Sequence, residues 1–223
     1  MTTQQLFNND GKALMMVLVG KSFKGKSYFL RYLLTERLST GKLKYGIVFT
    51  KTKYNKDYNF LPDNCIFEGY NQKILEKYID NLKKILASDE QVQPNFIIFD
   101  DLVGVLSNQS DFFVNFITTA RHLNISIFIA VQYLTGKKAI SPVMREQTTH
   151  CLMFNSRTRN TLENLYMSYG QLFDNFEQFK NYFMTVTKEK HVGMLYLEAI
   201  DELESNYIPI QAPADFPKLK FDY

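Results

Sequence analysis

One octapeptide constrains this chain more than anything else in it. Gly20-Lys21-Ser22-Phe23-Lys24-Gly25-Lys26-Ser27 meets every fixed position of the pattern G-x-x-x-x-G-K-[ST]. Its setting agrees. The continuous apolar run Ala13–Val19 before it suits a strand buried on both faces. After it, Phe29, Leu30, Leu33 and Leu34 recur at helical spacing over Lys26–Leu38. A glycine-bearing turn between a buried strand and a helix lets backbone amides close around an anion, with the helix N-terminus adding partial positive charge. Gly20 to Tyr28 are therefore the expected nucleotide-contacting residues. Lys26 is expected to reach the β- and γ-phosphates and Ser27 to offer its hydroxyl to magnesium.

The rest of the chain alternates strand and helix patterns. Strands are expected at Tyr45–Thr50, Cys65–Phe67, Phe96–Phe99, Ile125–Val131 and His150–Phe154. Helices are expected at Asn71–Ser88, Asp111–Leu123, Thr158–Tyr169 and Leu172–Tyr182, with a helical turn at Pro142–Glu146. Phe183–Val186 and Gly193–Leu197 read as a late antiparallel pair. Such alternation specifies an α/β sandwich around a mainly parallel sheet. Residues 1–204 form the expected domain. Residues 205–223, with Pro209, Pro213 and Pro217, read as an extended tail rather than a packed segment.

Two further patterns carry chemistry. The strand Phe96-Ile97-Ile98-Phe99 runs into Asp100-Asp101, which puts two acids at the carboxyl edge of the sheet, where ligands of such sheets bind. Asp100 is the expected magnesium partner and Asp101 the group that orients the attacking water. Many hydrolytic proteins of this class carry Glu at the second acid, one methylene longer than Asp101. Gln132 closes the strand Ile125–Val131 and is a candidate sensor of the γ-phosphate, against the plainer role of a polar strand cap.

Basic and acidic residues number 26 and 23, so charge alone permits nucleic-acid binding without arguing for it. Arginine numbers six, and four of these, Arg121, Arg145, Arg157 and Arg159, lie between 121 and 159. Arg145 and then Arg121 are the candidates for an arginine offered to a neighbouring subunit's nucleotide, with surface ion pairing as the alternative. Lys137 and Lys138 in one loop, and Lys51, Lys53 and Lys56 in another, are candidates to bind phosphates without reading sequence, again against plain solvation. Cys65 and Cys151 are read as buried thiols of a reducing compartment. The N-terminus lacks a secretory pattern, and no apolar stretch reaches the roughly 20 residues of a membrane-crossing helix.

Three segments in register, GKSFKGKS, FIIFDD and ARHLNISIFIAVQ…SPVMREQTTHCLMFNSRT, resemble the genome-packaging ATPases of large eukaryotic DNA viruses and virophages, within the FtsK–HerA superfamily. The resemblance spans roughly residues 13–200. It implies a three-layer, RecA-like P-loop core with an additional strand. It also implies ATP and Mg2+ as ligands and a pentameric or hexameric ring around double-stranded DNA. Viral capsid or portal-vertex proteins would be partners, and the site of action would be the host cytoplasm or the virion. Gln132 would then be the polar sensor, with Arg145 or Arg121 acting across the subunit interface. A terminase-type nuclease activity is not implied. A nucleotide kinase, an AAA-type remodeller and a slow nucleotide-binding scaffold are the alternatives. DNA-stimulated hydrolysis separates the motor from all three.

Overall fold

The computed structural model describes residues 13–102, 110–135, 140–198 and 206–222. Its centre is an eight-stranded sheet of order β3-β2-β4-β5-β1-β6-β7-β8. The strands are β1 (Met15–Val19), β2 (Tyr45–Thr50), β3 (Ile66–Glu68), β4 (Asn95–Asp100), β5 (Ile125–Val131), β6 (His150–Phe154), β7 (Gly193–Leu197) and β8 (Tyr207–Ile210). All pairings from β3 to β6 are parallel, and β6–β7 and β7–β8 are antiparallel. Strand β5 lies between β1 and β4, as the additional strand that the resemblance implied.

Alternation along each strand divides the core between two faces. Val17, Phe49, Ile97, Ile129 and Met153 point to one side. There they meet α2 (Gln72–Ala87), α3 (Asp111–Thr119), α5 (Arg159–Tyr169) and α6 (Phe176–Val186). Met16, Leu18, Val48, Ile98, Phe128 and Leu152 point to the other, where α1 (Lys26–Ser39) packs through Phe29, Leu30, Leu33 and Leu34. A short α4 (Pro142–Glu146) follows β5, capped by Ser141. Among the described residues, α1 is the one α-helix of this layer. Two irregular segments complete it: the 51–61 loop with Tyr58, Phe60 and Leu61, and the C-terminal segment with Ala212 and Phe216.

Most element boundaries fall within a few residues of the expected ones. Asn71, read as the first helical residue, is instead the cap of α2, its side chain accepting from Ile74 N at 3.3 Å. Phe183–Val186 is not a strand; it is the last turn of α6, and β7 pairs with β6 and β8 instead. The reason is visible in the burial. Phe179 and Phe183 are fully buried four residues apart, with rings stacked 5.8 Å between centroids. That helical pairing overrides local β-propensity. Cys151 is buried as expected, whereas Cys65 is only half-buried.

The C-terminal segment is packed, contrary to expectation. Tyr207–Ile210 forms the edge strand β8. The Tyr207 ring is buried, its hydroxyl donates to Tyr169 O at 2.5 Å, and its centroid lies 4.7 Å from that of Phe173. Proline at 209 is compatible with strand structure here because β8 is an edge. Further on, Phe221 N donates to Phe60 O at 2.8 Å. Tyr207→Ala is therefore expected to destabilise the whole domain by about 3 kcal/mol, the range for deleting a buried aromatic ring. Chemical denaturation followed by circular dichroism checks this. A change below about 0.5 kcal/mol means the segment is an appendage after all.

Candidate functional site

Parallel register brings the three functional strand ends into line. Val19 of β1 is paired with Val131 of β5, and Ala130 of β5 with Asp100 of β4. Gly20 N donates to Val131 O at 3.1 Å, and Asp101 N donates to Ala130 O at 3.0 Å. Gln132 thus emerges between the phosphate-binding loop and the acid pair. Its Nε2 donates to Asp101 Oδ1 at 3.1 Å. Asp101 achieves this at φ 51°, a left-handed conformation that Asp tolerates better than most residues.

The loop itself needs its glycines. Gly25 has φ 103°, and a Cβ there would lie 3.2 Å from His191 Nδ1. A Cβ on Gly20 would lie 2.8 Å from Cβ of Phe154 at the end of β6. Lys26 Nζ donates to Gly20 O at 2.6 Å and to Lys21 O at 3.2 Å. Burial lowers the Lys26 pKa, while the charges of Asp100 and Asp101 act to raise it. The side chain of Phe23 is 98% exposed at the tip of the loop.

Lys26, Ser27, Asp100, Asp101 and Gln132 all border one cavity of about 930 Å³. Of the expected loop residues, Ser22, Phe23, Gly25, Lys26, Ser27 and Tyr28 line it together with the acid pair and Gln132, whereas Gly20, Lys21 and Lys24 are not among its lining residues. The arginines do not join them within the subunit. Arg145 donates from Nη1 to Leu134 O at 3.1 Å and to Ile140 O at 2.9 Å, anchoring the chain that follows Gln132. Arg121 is exposed and lines a second cavity beside Leu14, Met15 and Ile125, at the opposite, amino edge of the sheet. Arg159 pairs with Glu163 one turn along α5 at 2.8 Å. Lys53 pairs with Asp63 at 3.2 Å, and Lys137 and Lys138 lie outside the described residues.

Tyr58 and Asp57, which no sequence pattern marks, also reach the acid pair's cavity or its carboxylate. Tyr58 is buried and its hydroxyl donates to Asp100 Oδ2 at 3.0 Å. This bond fixes one carboxylate oxygen and the rotamer of the other. Arg31 of α1 stacks over Phe60, 5.3 Å to the ring centroid, and helps hold the same loop. Asp57, next to Tyr58, lines the cavity with the acid pair. A polar run of Lys, Asn and Asp signals only a loop, so no local pattern marks either residue.

Burial pushes the Asp100 carboxyl up to about 6; the bond from Tyr58 and the charge of Lys26 oppose this, while Asp101 and Asp57 add to it. The folded state therefore holds this proton more tightly than the unfolded chain does. Ionised Asp100 costs the fold stability in full above about pH 6, and the cost fades as pH falls toward the ordinary carboxylate value. Asp100→Asn is expected to stabilise the protein at pH 7 by roughly 2–3 kcal/mol, with the gain shrinking toward pH 4. Denaturation midpoints across that range check it, and a pH-independent difference would refute it.

Comparison with known proteins agrees with this fold. The chain is similar to the genome-packaging NTPase B204 of Sulfolobus turreted icosahedral virus 2, solved with ATP-gammaS. Identity is 18%, coverage is 83% of this chain and 92% of that one, and the TM-score is 0.58. It is equally similar to B204, the DNA-packaging ATPase of Sulfolobus turreted icosahedral virus, at 16% identity, with 90% and 98% coverage and a TM-score of 0.60. Uncharacterized protein 075L of Invertebrate iridescent virus 6 is 27% identical over 191 residues, 81% of this chain and 69% of that protein. The family model described as Poxvirus A32 protein matches residues 4–195, so the chain belongs to that family.

Proposed function

We propose that this protein is an ATP-hydrolysing motor that moves double-stranded DNA into a viral capsid. The observation that carries the ATPase part is the convergence of Lys26, Ser27, Asp100, Asp101 and Gln132 on one cavity at the carboxyl edge of the sheet. The loop amides and Lys26 would bind the phosphates. Ser27 and Asp100 offer the hard oxygen donors that magnesium takes, with phosphate and water oxygens filling its other positions, so the residues fit that ion. Bound there, magnesium would neutralise charge on the transferring phosphoryl group.

Asp101 would orient the attacking water, and the bond from Gln132 restrains its carboxylate. Water attacks phosphorus in line, the bond to the β-phosphate oxygen breaks, and ADP and phosphate leave. Asp101 is short for this task, and the Gln132 bond together with the left-handed turn compensates by fixing its direction. An arginine from an adjacent subunit would complete the charge stabilisation. Arg121, being exposed, is better placed to be donated than Arg145, whose guanidinium is engaged by two carbonyls. DNA as substrate and a ring as the working form rest on the kinship of this chain with viral packaging ATPases. Among the described residues, no helix is long and apolar enough to cross a membrane.

Steady-state ATPase assays with and without duplex DNA test this. Wild type is expected to hydrolyse ATP faster with DNA, and Lys26→Ala to lose activity by about a hundredfold or more. Turnover unchanged by DNA at every protein concentration would favour the scaffold or remodeller alternatives. Tyr58→Phe is expected to raise the magnesium concentration for half-maximal hydrolysis about tenfold. Its cost to stability should be only about 1 kcal/mol. An unchanged magnesium dependence would remove Tyr58 from the metal site.

A further inference from the structure

Beside the groups that would hold a triphosphate, the cavity has a wall made by two segments distant in sequence: the turn with Lys190 and His191, and the C-terminal segment with Gln211, Ala212 and Ala214. Both are fastened to the phosphate-binding loop and α1. The Tyr28 hydroxyl lies 3.0 Å from Pro213 O and 2.9 Å from Ala214 O. Its ring meets Phe216 edge-on at 5.3 Å. His191, at φ 66°, places Nδ1 3.3 Å from Lys24 O, directly over Gly25.

We propose that this wall is the nucleobase seat, and that Gln211 makes it selective for adenine; the proposal rests on the nucleotide-site reading above. Ala212 and Ala214 supply small apolar surface against which a flat ring can lie, and the His191 imidazole borders it from the loop side. Gln211 supplies direction. Its Nε2 donates to Lys190 O at 3.3 Å. Reversing the amide would set its oxygen against that carbonyl, two acceptors facing each other. With Nε2 engaged in this way, Oε1 is the acceptor that Gln211 can offer to the cavity it lines. The exocyclic amine of adenine is a donor and complements it. Guanine presents a carbonyl at the same ring position and would leave two acceptors opposed. Segment 211–216 is thus part of the substrate site and not merely a cover for α1.

Binding of Mg-ATPγS, Mg-GTPγS and inorganic tripolyphosphate to the full chain, measured by titration calorimetry, tests the proposal. Wild type is expected to bind ATPγS about tenfold tighter than GTPγS, and tighter than tripolyphosphate. Gln211→Ala should bring the two nucleotides to within about twofold and leave tripolyphosphate affinity unchanged. His191→Ala should weaken both nucleotides and spare tripolyphosphate. If both variants keep the wild-type ratios, or lose tripolyphosphate in parallel with ATPγS, the seat is elsewhere. Wild type binding none of the three would instead sink the nucleotide-site reading itself.

Discussion

The site depends on the alignment of three parallel strands. Because β5 is inserted between β1 and β4 in matched register, the chain leaves all three at one level of the sheet. The two backbone bonds just beyond the strands, Gly20 to Val131 and Asp101 to Ala130, fix the phosphate-binding loop and the acid pair against a common rail. A one-residue slip of β5 would turn Gln132 to the other face and move both neighbours. The buried apolar residues on both faces, alternating between two cores, make such a slip costly, so packing far from the cavity sets its geometry.

The two faces of the sheet are covered differently, and function follows the irregular one. Four of the longer helices cover one face. On the other, α1 is flanked by the 51–61 loop and the 211–221 segment, which touch each other through Phe221 and Phe60. A regular helix satisfies its backbone within itself and presents side chains at fixed intervals. Irregular segments can instead deliver single groups where needed. One brings the Tyr58 hydroxyl to Asp100, and the other brings Gln211 and two alanines to the rim. The layer that looks incomplete as architecture is the one that shapes the ligand cavity.

This division also explains what could be read from the sequence. The phosphate-binding loop, the acid pair and Gln132 were legible because each is a short local pattern attached to a buried strand. The sheet class followed from the same runs. Tyr58, His191 and Gln211 were not legible, since their significance comes from contacts spanning large separations. Tyr58 meets a group 42 residues away and His191 one 167 away, while Tyr28 clasps a carbonyl 185 away. Proline marked the C-terminal segment as non-helical, and the error was to equate that with unpacked. At Phe183–Val186, a β-favouring tetrapeptide concealed an i, i+4 aromatic pair that only tertiary burial rewards.

Asp100 shows why such support is needed. A carboxylate 5% exposed at a sheet edge is a liability to the fold, and burial raises its pKa accordingly. Solvation would relieve it but would also let the side chain wander. The phenol of Tyr58 offers one oriented donor in place of water, and Lys26 offers charge across the cavity. The bond and the charge relieve the ion only partly. What remains is attraction for a cation, directed at the side of the carboxylate that Tyr58 does not occupy. Under the proposed function, a divalent ion arriving with phosphates would meet that unmet demand, and the strain carried by the protein alone would become affinity and orientation for its substrate.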